Sequence, residues 1–351
     1  MEFLKNYIKS MRLYYAFVTL TCGWAGVAAF QYKSTYGNNI LESYSTEFYN
    51  TIPFLIDKII VLTIMFVGWG VNQIVNDYMG LKEDRINAPE RPMVTGKLKP
   101  IPALSVSLFV ILIAVVWSIY KNPVSLIPLL GGVIMNMIYS VAKGYGILGN
   151  ITFGLSISSC MVYSYTVLGG NLKDFFTDNY TLFPWIYVVI FNMIMTYYTY
   201  FKDYNGDKAS NKNTLVVKLG LKRASFLGLF LSAIPIIMFA SSKLLGDFVN
   251  AYPSIQVKYY IISYLIAGLL FIYTGFLYYK TNTGDKTYFN LKYNFAALSA
   301  CQAAIVSFYC SIGNFNYEKS AIYNLEGLIL TIISVISVLT IFKLGYKNAK
   351  S

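Results

Sequence analysis

Acidic and amide side chains concentrate at two places in this chain, each following a long apolar segment. The first group consists of Asn72, Asn76, Asp77, Glu83, Asp84 and Glu90. The second group consists of Asp203 and Asp207. Magnesium ions bind proteins through one or two carboxylates together with water and phosphate oxygens. If the two groups face each other across a cavity, they would form a magnesium site of this kind.

The spacing within each group places the side chains on one helix face. Residues four apart share a face, as Asn76, Gly80 and Asp84 do in a continuous helix. Asp203 and Asp207 are likewise one turn apart. The helix dipole disfavours negative charge at a C-terminus, so acids there reduce stability unless a cation binds. Solvated helix ends without a metal are the simpler interpretation, and the spacing alone leaves it open.

Basic residues belong to the same predicted side of the chain as the two acidic groups. They are Lys143, Arg91, Lys202 and Lys208. Lysine and arginine side chains bind the oxygens of phosphate groups. Acids and bases mixed at one site therefore suit a diphosphate that carries Mg²⁺. Each basic residue could instead serve only as an anchor at the cytoplasmic face of a membrane.

The composition excludes most soluble classes of protein. Apolar residues make up 56% of the 351 residues and charged residues only 13%, about half the usual charged fraction of about 25%. The chain has no histidine, which excludes His-dependent triads and the HExxH type of zinc site. Its four cysteines form no CxxC pair. The composition predicts an all-α, polytopic membrane protein.

Ten apolar segments approach the roughly 20 residues that a helix needs to cross a bilayer. They are residues 12–30, 54–79, 101–120, 122–142, 148–168, 182–201, 224–241, 257–280, 290–312 and 321–345. With both termini in the cytoplasm, 21 of the 28 basic residues lie on the cytoplasmic side and seven outside. This asymmetry predicts the orientation. It also explains the net charge of +12 without nucleic acid as a partner.

Three motifs in this arrangement resemble those of the UbiA superfamily of intramembrane prenyltransferases. Residues 76–96 read NDYMGLKEDRINAPERPMVTG, similar to the first signature, NDxxDxxxD followed by NxPxRP and a glycine. Residues 202–215 read KDYNGDKASNKNTL, similar to the second signature, KDxxGDxxxxxxTL. Residues 139–143, YSVAK, match the YxxxK element between them. All three occur in the family's order, and each is predicted at a cytoplasmic helix end.

The resemblance implies a fold, a site and a domain division. The fold is a nine-helix bundle, to which this chain adds a probable tenth transmembrane helix. Residues 1–312 would form the prenyltransferase domain, and residues 313–351 the additional helix and a short tail. The implied catalytic and metal-binding residues are Asn76, Asp84, Asp203 and Asp207. The implied substrate-binding residues are Lys143, Tyr139, Arg91, Lys202, Lys208, Asn72 and Asp77.

The implied reaction is a Mg²⁺-dependent transfer of a prenyl group from an allylic prenyl diphosphate to an aromatic or other lipophilic acceptor. A terpene cyclase, which needs no acceptor, is an alternative within the same superfamily. A transporter is a third interpretation, disfavoured because few charges lie within the spans. The simplest location is a prokaryotic cell membrane, with the active-site mouth facing the cytoplasm.

Two positions depart from the family's pattern. Gly80 replaces the middle aspartate of the first signature, which leaves one metal ligand unaccounted for. Asn72, Asp77 or Glu83 would have to compensate, although Asp77 and Glu83 lie about 100° from the Asn76–Asp84 stripe. In the second signature, Asn211 occupies a position where glycine is common.

Overall fold

The computed structural model of the chain describes residues 2–36, 52–81, 84–85, 88–241, 255–282, 284–312 and 321–350. The helices are α1 (Glu2–Met11), α2 (Phe17–Tyr36), α3 (Ile52–Met79), α4 (Pro100–Lys121), α5 (Leu126–Ala142), α6 (Ile147–Val167), α7 (Leu172–Thr177), α8 (Asn179–Ala209), α9 (Leu215–Leu219), α10 (Leu221–Leu231), α11 (Ile234–Ser241), α12 (Ile255–Lys280), α13 (Gly284–Ile312) and α14 (Ala321–Lys350). The strands β1 (Tyr145–Gly146) and β2 (Asn213–Thr214) pair in parallel. Turns of 3₁₀ helix lie at Leu13–Tyr15 and Pro123–Ser125.

The predicted all-α membrane bundle is confirmed, and each of the ten predicted spans coincides with helical structure. Nine helical segments long and apolar enough to cross a membrane are present in the described part of the chain, with α10 and α11 counted as one segment. Helix α2 is not one of the nine, because Gln31 and Lys33 interrupt its apolar sequence. It nevertheless packs inside the bundle against α3, α6 and α13. The seventh span is divided into α10 and α11.

The start of the first span differs from the prediction. Residues 12–30 were expected to form one helix, but α2 begins only at Phe17. Arg12 has a φ of 48°, in the left-handed region that interrupts a right-handed helix. The 3₁₀ turn Leu13–Tyr15 then connects α1 to α2. Hydropathy does not register this break, because the residues around it are apolar.

Small residues allow close helix crossings inside the bundle, as is common in membrane proteins. A Cβ atom on Gly26 of α2 would lie 2.1 Å from the carbonyl oxygen of Met161 on α6. A Cβ atom on Gly327 of α14 would lie 2.2 Å from the Cα of Ser307 on α13. Helix α13 is buried throughout its apolar segment, and α12 and α14 both pack along it. The bundle is therefore centred on α2 and α13.

Candidate active site

The second acidic motif lies at the C-terminal end of α8 and is organised by one lysine. The Nζ atom of Lys143 lies 3.2 Å from Oδ2 of Asp203 and 3.2 Å from Oδ1 of Asp207. Lys202 adds a second contact to Asp203, at 2.7 Å. The remaining oxygen of Asp207, Oδ2, is buried and has no hydrogen-bond partner among the described residues. The motif thus brings together two carboxylates and one partly buried ammonium.

Lys143 remains charged in this position. Burial of its side chain disfavours the ammonium, but the carboxylates of Asp203 and Asp207 outweigh this effect, and the net result is a raised pKa for Lys143. The face of the Tyr200 ring also lies near the ammonium, with 5.4 Å between Nζ and the ring centre. An ammonium held this way can bind the oxygens of a diphosphate.

Backbone contacts after α5 and α8 hold this arrangement together. The N–H of Asn213 donates to the carbonyl of Gly144 at 3.2 Å, and β1 pairs with β2 immediately beyond. The chain continues into α9, where the side chain of Thr214 accepts from the N–H of Val217 at 3.3 Å and so caps the helix. The threonine of the second signature is therefore a helix cap, and this local structure fixes Lys143 beside α8.

Asn211 shows why glycine is common at this position of the second signature. Its φ is 55°, in the left-handed region. Glycine adopts this region without a steric penalty, and asparagine tolerates it better than most other residues. The departure noted in the sequence therefore preserves the backbone turn that follows α8.

The first acidic motif is organised by two arginines from distant parts of the sequence. The side chain of Asp77 is 2% exposed, and its Oδ1 lies 2.5 Å from Arg12 and 3.1 Å from Arg91. Arg91 also forms an ion pair with Asp84. Arg12 donates a further hydrogen bond to Oε1 of Gln73 at 2.8 Å. The second oxygen of Asp77, Oδ2, is buried and has no hydrogen-bond partner among the described residues.

Arg12 is a site residue that the sequence motifs did not identify. Its basic character at the N-terminus predicted only membrane orientation, and no spacing rule links residue 12 to residue 77. Its position depends on a small second core that joins α1 to the segment after the first motif. That core consists of Tyr7, Met11, Ile74, Met93, Leu98 and Ala103. It positions both arginines beside the end of α3.

Helix α5 contacts residues of both acidic groups. The side-chain amide of Asn136 donates to the Oδ1 atom of Asn72 at 3.3 Å, and Lys143, seven residues later, contacts the second motif. Residues seven apart lie about 20° from each other around a helix. One face at the C-terminal end of α5 therefore reaches both acidic groups, through Asn136 and Lys143.

The other predicted site residues take different positions. Asn76 is exposed, and a Cβ atom on Gly80 would lie 3.9 Å from Oδ2 of Asp84. Tyr139 packs on Phe153, with 5.2 Å between ring centres. Lys208 lies over the Tyr204 ring, 6.0 Å from its centre. Glu83, one of the three suggested replacement ligands, lies outside the described residues, as does Asn87 of the first signature.

Two tyrosines near the second motif serve in packing. The hydroxyl of Tyr197 donates to the carbonyl of Ala224, and that of Tyr198 to the carbonyl of Gly228, each at 2.5 Å. Both contacts join α8 to α10. Their hydroxyls therefore hold these two helices together.

The donor set matches the requirements of a metal-bound diphosphate in part. Within the described residues, no three acidic or cysteine side chains converge as a metal cluster. Asp203 and Asp207 supply the one or two carboxylates that Mg²⁺ uses when phosphate and water complete its coordination. Asp207 retains an oxygen that forms no hydrogen bond within the described chain. In the first motif, Asp77 and Asp84 are paired with arginine.

Known proteins match both the sequence and the fold. The sequence profile of the UbiA prenyltransferase family matches residues 48–298. A digeranylgeranylglyceryl phosphate synthase of Sulfurisphaera tokodaii is 28% identical over 187 residues, which are 52% of this chain and 64% of the relative. The synthase of the same name from Methanosarcina mazei is 24% identical over 238 residues, 67% of this chain and 78% of the relative.

A solved structure has the same fold. The structure of a UbiA homologue from Archaeoglobus fulgidus bound to GPP and Mg²⁺ superimposes with a TM-score of 0.51 at 16% identity, over 84% of this chain and 99% of that one. The family match covers more than half of the chain. The chain therefore belongs to the UbiA prenyltransferase family and is a multi-pass integral membrane protein. Its alignment with the Sulfurisphaera relative spans just under two thirds of that protein.

Proposed function

We propose that this chain is a Mg²⁺-dependent intramembrane prenyltransferase that transfers the prenyl group of an allylic diphosphate to a lipophilic acceptor. The observation that carries the proposal is a pair of charged clusters, one beside the C-terminal end of α3 and the other at the C-terminal end of α8. One cluster is Asp203, Asp207 and Lys143, and the other is Asp77, Asp84 and the arginines that pair with them. Apart from Arg12, the residues of both clusters belong to motifs of the family.

The relatives suggest the substrates to test first. They are named digeranylgeranylglyceryl phosphate synthases, a name that describes a glyceryl phosphate carrying two geranylgeranyl groups. We propose geranylgeranyl diphosphate as the donor and a geranylgeranylated glyceryl phosphate as the acceptor. An acceptor hydroxyl would attack the allylic carbon, the C–O bond to diphosphate would break, and the hydroxyl proton would leave to water at the mouth.

The residues of the chain have distinct roles in this proposal. Asp203 and Asp207 would hold Mg²⁺, with Asn76 and Asp84 as the proposed ligands from the first motif. When bound, Mg²⁺ neutralises the diphosphate oxygens and makes the group a better leaving group. Lys143 and Arg91 would bind the outer oxygens of the diphosphate and stabilise the charge that develops on it. Apolar helix faces would exclude water from the allylic cation.

Orientation, location and domain division belong to the same proposal. Both motifs lie at the C-terminal ends of α3 and α8, the ends that the distribution of basic residues assigns to the cytoplasm. We propose that the mouth of the site faces the cytoplasm of a prokaryotic cell. We also propose residues 1–312 as the catalytic domain and residues 313–351 as an addition to it.

Turnover of purified protein tests the function. The detergent-solubilised chain is incubated with C10, C15 and C20 prenyl diphosphates, with and without acceptor lipid, and both diphosphate release and extractable lipid are measured. We expect Mg²⁺-dependent product only when acceptor is present, and none after EDTA. A cyclic terpene formed without acceptor would identify a cyclase instead. Absence of diphosphate release from every donor and acceptor would contradict both activities.

A further inference from the structure

Helix α14 lies beyond the residues that match the family, which end at 298, yet it is attached to the bundle by polar contacts near its start. The Oε1 atom of Glu326 lies 2.5 Å from Nζ of Lys58 on α3 and accepts a hydrogen bond from the indole N–H of Trp24 on α2. The next residue, Gly327, allows the close crossing with Ser307. These contacts fix the rotation and height of α14 in the bundle.

The other end of α14 contacts the segment that leads to the active site. Phe342 is 3% exposed, and its ring centre lies 6.1 Å from that of Tyr15. Tyr15 also packs on Phe295 of α13 at 4.3 Å and on Trp69 of α3 at 6.0 Å. Three rings from three helices therefore surround Tyr15. Aromatic pairs at these separations stabilise the positions of their rings.

Tyr15 ends the 3₁₀ turn that starts directly after Arg12. The left-handed backbone of Arg12, with a φ of 48°, is disfavoured for a residue with a side chain and persists only where the surroundings hold it. On one side of Arg12, Met11 is part of the small second core. On the other side, Tyr15 attaches the 3₁₀ turn to the rings of α3, α13 and α14. This conformation directs the guanidinium of Arg12 to Asp77 and Gln73.

We propose that α14 is a positioning element of the active site. Phe342, through Tyr15, holds Arg12 in the conformation that pairs with Asp77, and so fixes the first acidic motif. The inference rests on the proposed function, because it concerns the site that would bind the prenyl diphosphate. Phe342 is a positioning residue in this account and touches no substrate. The residues of the first motif, which lie within the part of the chain that matches the family profile, would thus depend on a helix beyond residue 298.

The test compares two alanine variants in α14. Phe342→Ala removes the ring next to Tyr15, whereas Leu330→Ala removes another buried apolar side chain twelve residues earlier, about 18 Å along the helix. We expect Phe342→Ala to raise KM for the prenyl diphosphate about tenfold. A tenfold change corresponds to the free energy lost when one aromatic contact and its packing are removed. Leu330→Ala should lower the melting temperature of the protein similarly and leave KM unchanged.

A binding measurement separates positioning from general destabilisation. A prenyl thiolodiphosphate, which ionises slowly, is titrated into each variant in the presence of Mg²⁺ and followed by calorimetry. Phe342→Ala should weaken binding in parallel with the rise in KM. Phe342→Leu, which retains apolar volume, should recover most of the affinity. Equal affinities and KM values for Phe342→Ala and Leu330→Ala would overturn the inference.

A double-mutant cycle tests the route through Arg12. Arg12→Lys loses the planar fork of the guanidinium but keeps the charge. It therefore suits the cycle better than Arg12→Ala, which would also leave Asp77 without this positive charge. If Phe342 acts through Arg12, adding Phe342→Ala to Arg12→Lys should lower the affinity for the thiolodiphosphate much less than in the wild type. Additive effects would overturn the inference. A wild-type protein that neither binds the analogue nor releases diphosphate would refute the proposed function itself.

Discussion

The two acidic motifs of this protein are stabilised in different ways. In the second motif, Asp203 and Asp207 meet one lysine, and backbone pairing between β1 and β2 holds the two helix ends together. In the first motif, Asp77 meets arginines 65 and 14 positions away in the sequence. The second motif is therefore a compact unit made by two helix ends, whereas the first depends on the N-terminal segment and its packing.

Substitutions elsewhere in the protein should therefore affect the two motifs differently. The second motif should tolerate changes elsewhere in the bundle and fail when its own residues change. The first motif should also respond to changes in the segments that carry its arginines.

Asp207→Asn should lower turnover by about 100-fold or more, because it removes a carboxylate that would hold the Mg²⁺ needed to neutralise the leaving diphosphate. The substitution conserves size, so the protein should still be folded in detergent, as judged by its elution volume and melting temperature. Diphosphate release is the measurement. Activity near that of the wild type would remove Asp207 from the proposed metal site.

Lys143→Ala should lower turnover more than Lys202→Ala. Lys143 bridges two carboxylates, whereas Lys202 contacts Asp203 alone. Loss of Lys143 leaves Asp207 buried without its cationic partner, which is strongly unfavourable. We expect a loss of about tenfold to 100-fold for Lys143→Ala, the usual range for a residue that orients metal ligands. Equal losses for the two variants would show that the motif is not organised around Lys143.

Gly80→Asp should lower turnover a few-fold rather than restore it. A Cβ atom at position 80 would lie 3.1 Å from the carbonyl oxygen of Asn76 and 3.9 Å from Oδ2 of Asp84, so the added carboxylate would compete for Arg91 and repel Asp84. Gly80→Ala is the matched control, since it tests the space without the charge. A higher turnover in Gly80→Asp would indicate that the missing aspartate is a lost ligand, and that the arginine pairing of the first motif is secondary.

Asn211→Gly should have the smallest effect of the series. Its left-handed backbone suits glycine, so both turnover and melting temperature should remain close to those of the wild type. Asn211→Ala should lower the free energy of unfolding by about 1 kcal/mol, because alanine lacks the local hydrogen bonding that lets asparagine adopt this region. An unchanged melting temperature in Asn211→Ala would contradict the explanation that this position requires a residue able to adopt the left-handed backbone conformation.

The same contrast determines what the sequence could predict. Apolar length is a local property, so all ten spans could be located, although the break at Arg12 could not. Asp203, Asp207 and Lys143 lie at helix ends in recognisable motifs, so their proximity was expected. The pairing of Asp77 with Arg12 depends on the second core and on Tyr15, which involve residues far apart in sequence. No periodicity or spacing encodes such a contact.

We propose that both motifs serve one site for a diphosphate and Mg²⁺. The most direct measurement is calorimetric titration of a prenyl thiolodiphosphate into the wild type, Asp207→Asn and Arg91→Lys, with and without Mg²⁺. One binding event per chain is expected, present only with Mg²⁺ and weakened in both variants. Binding that is unaffected by EDTA, or that one of the two variants leaves unchanged, would contradict the claim.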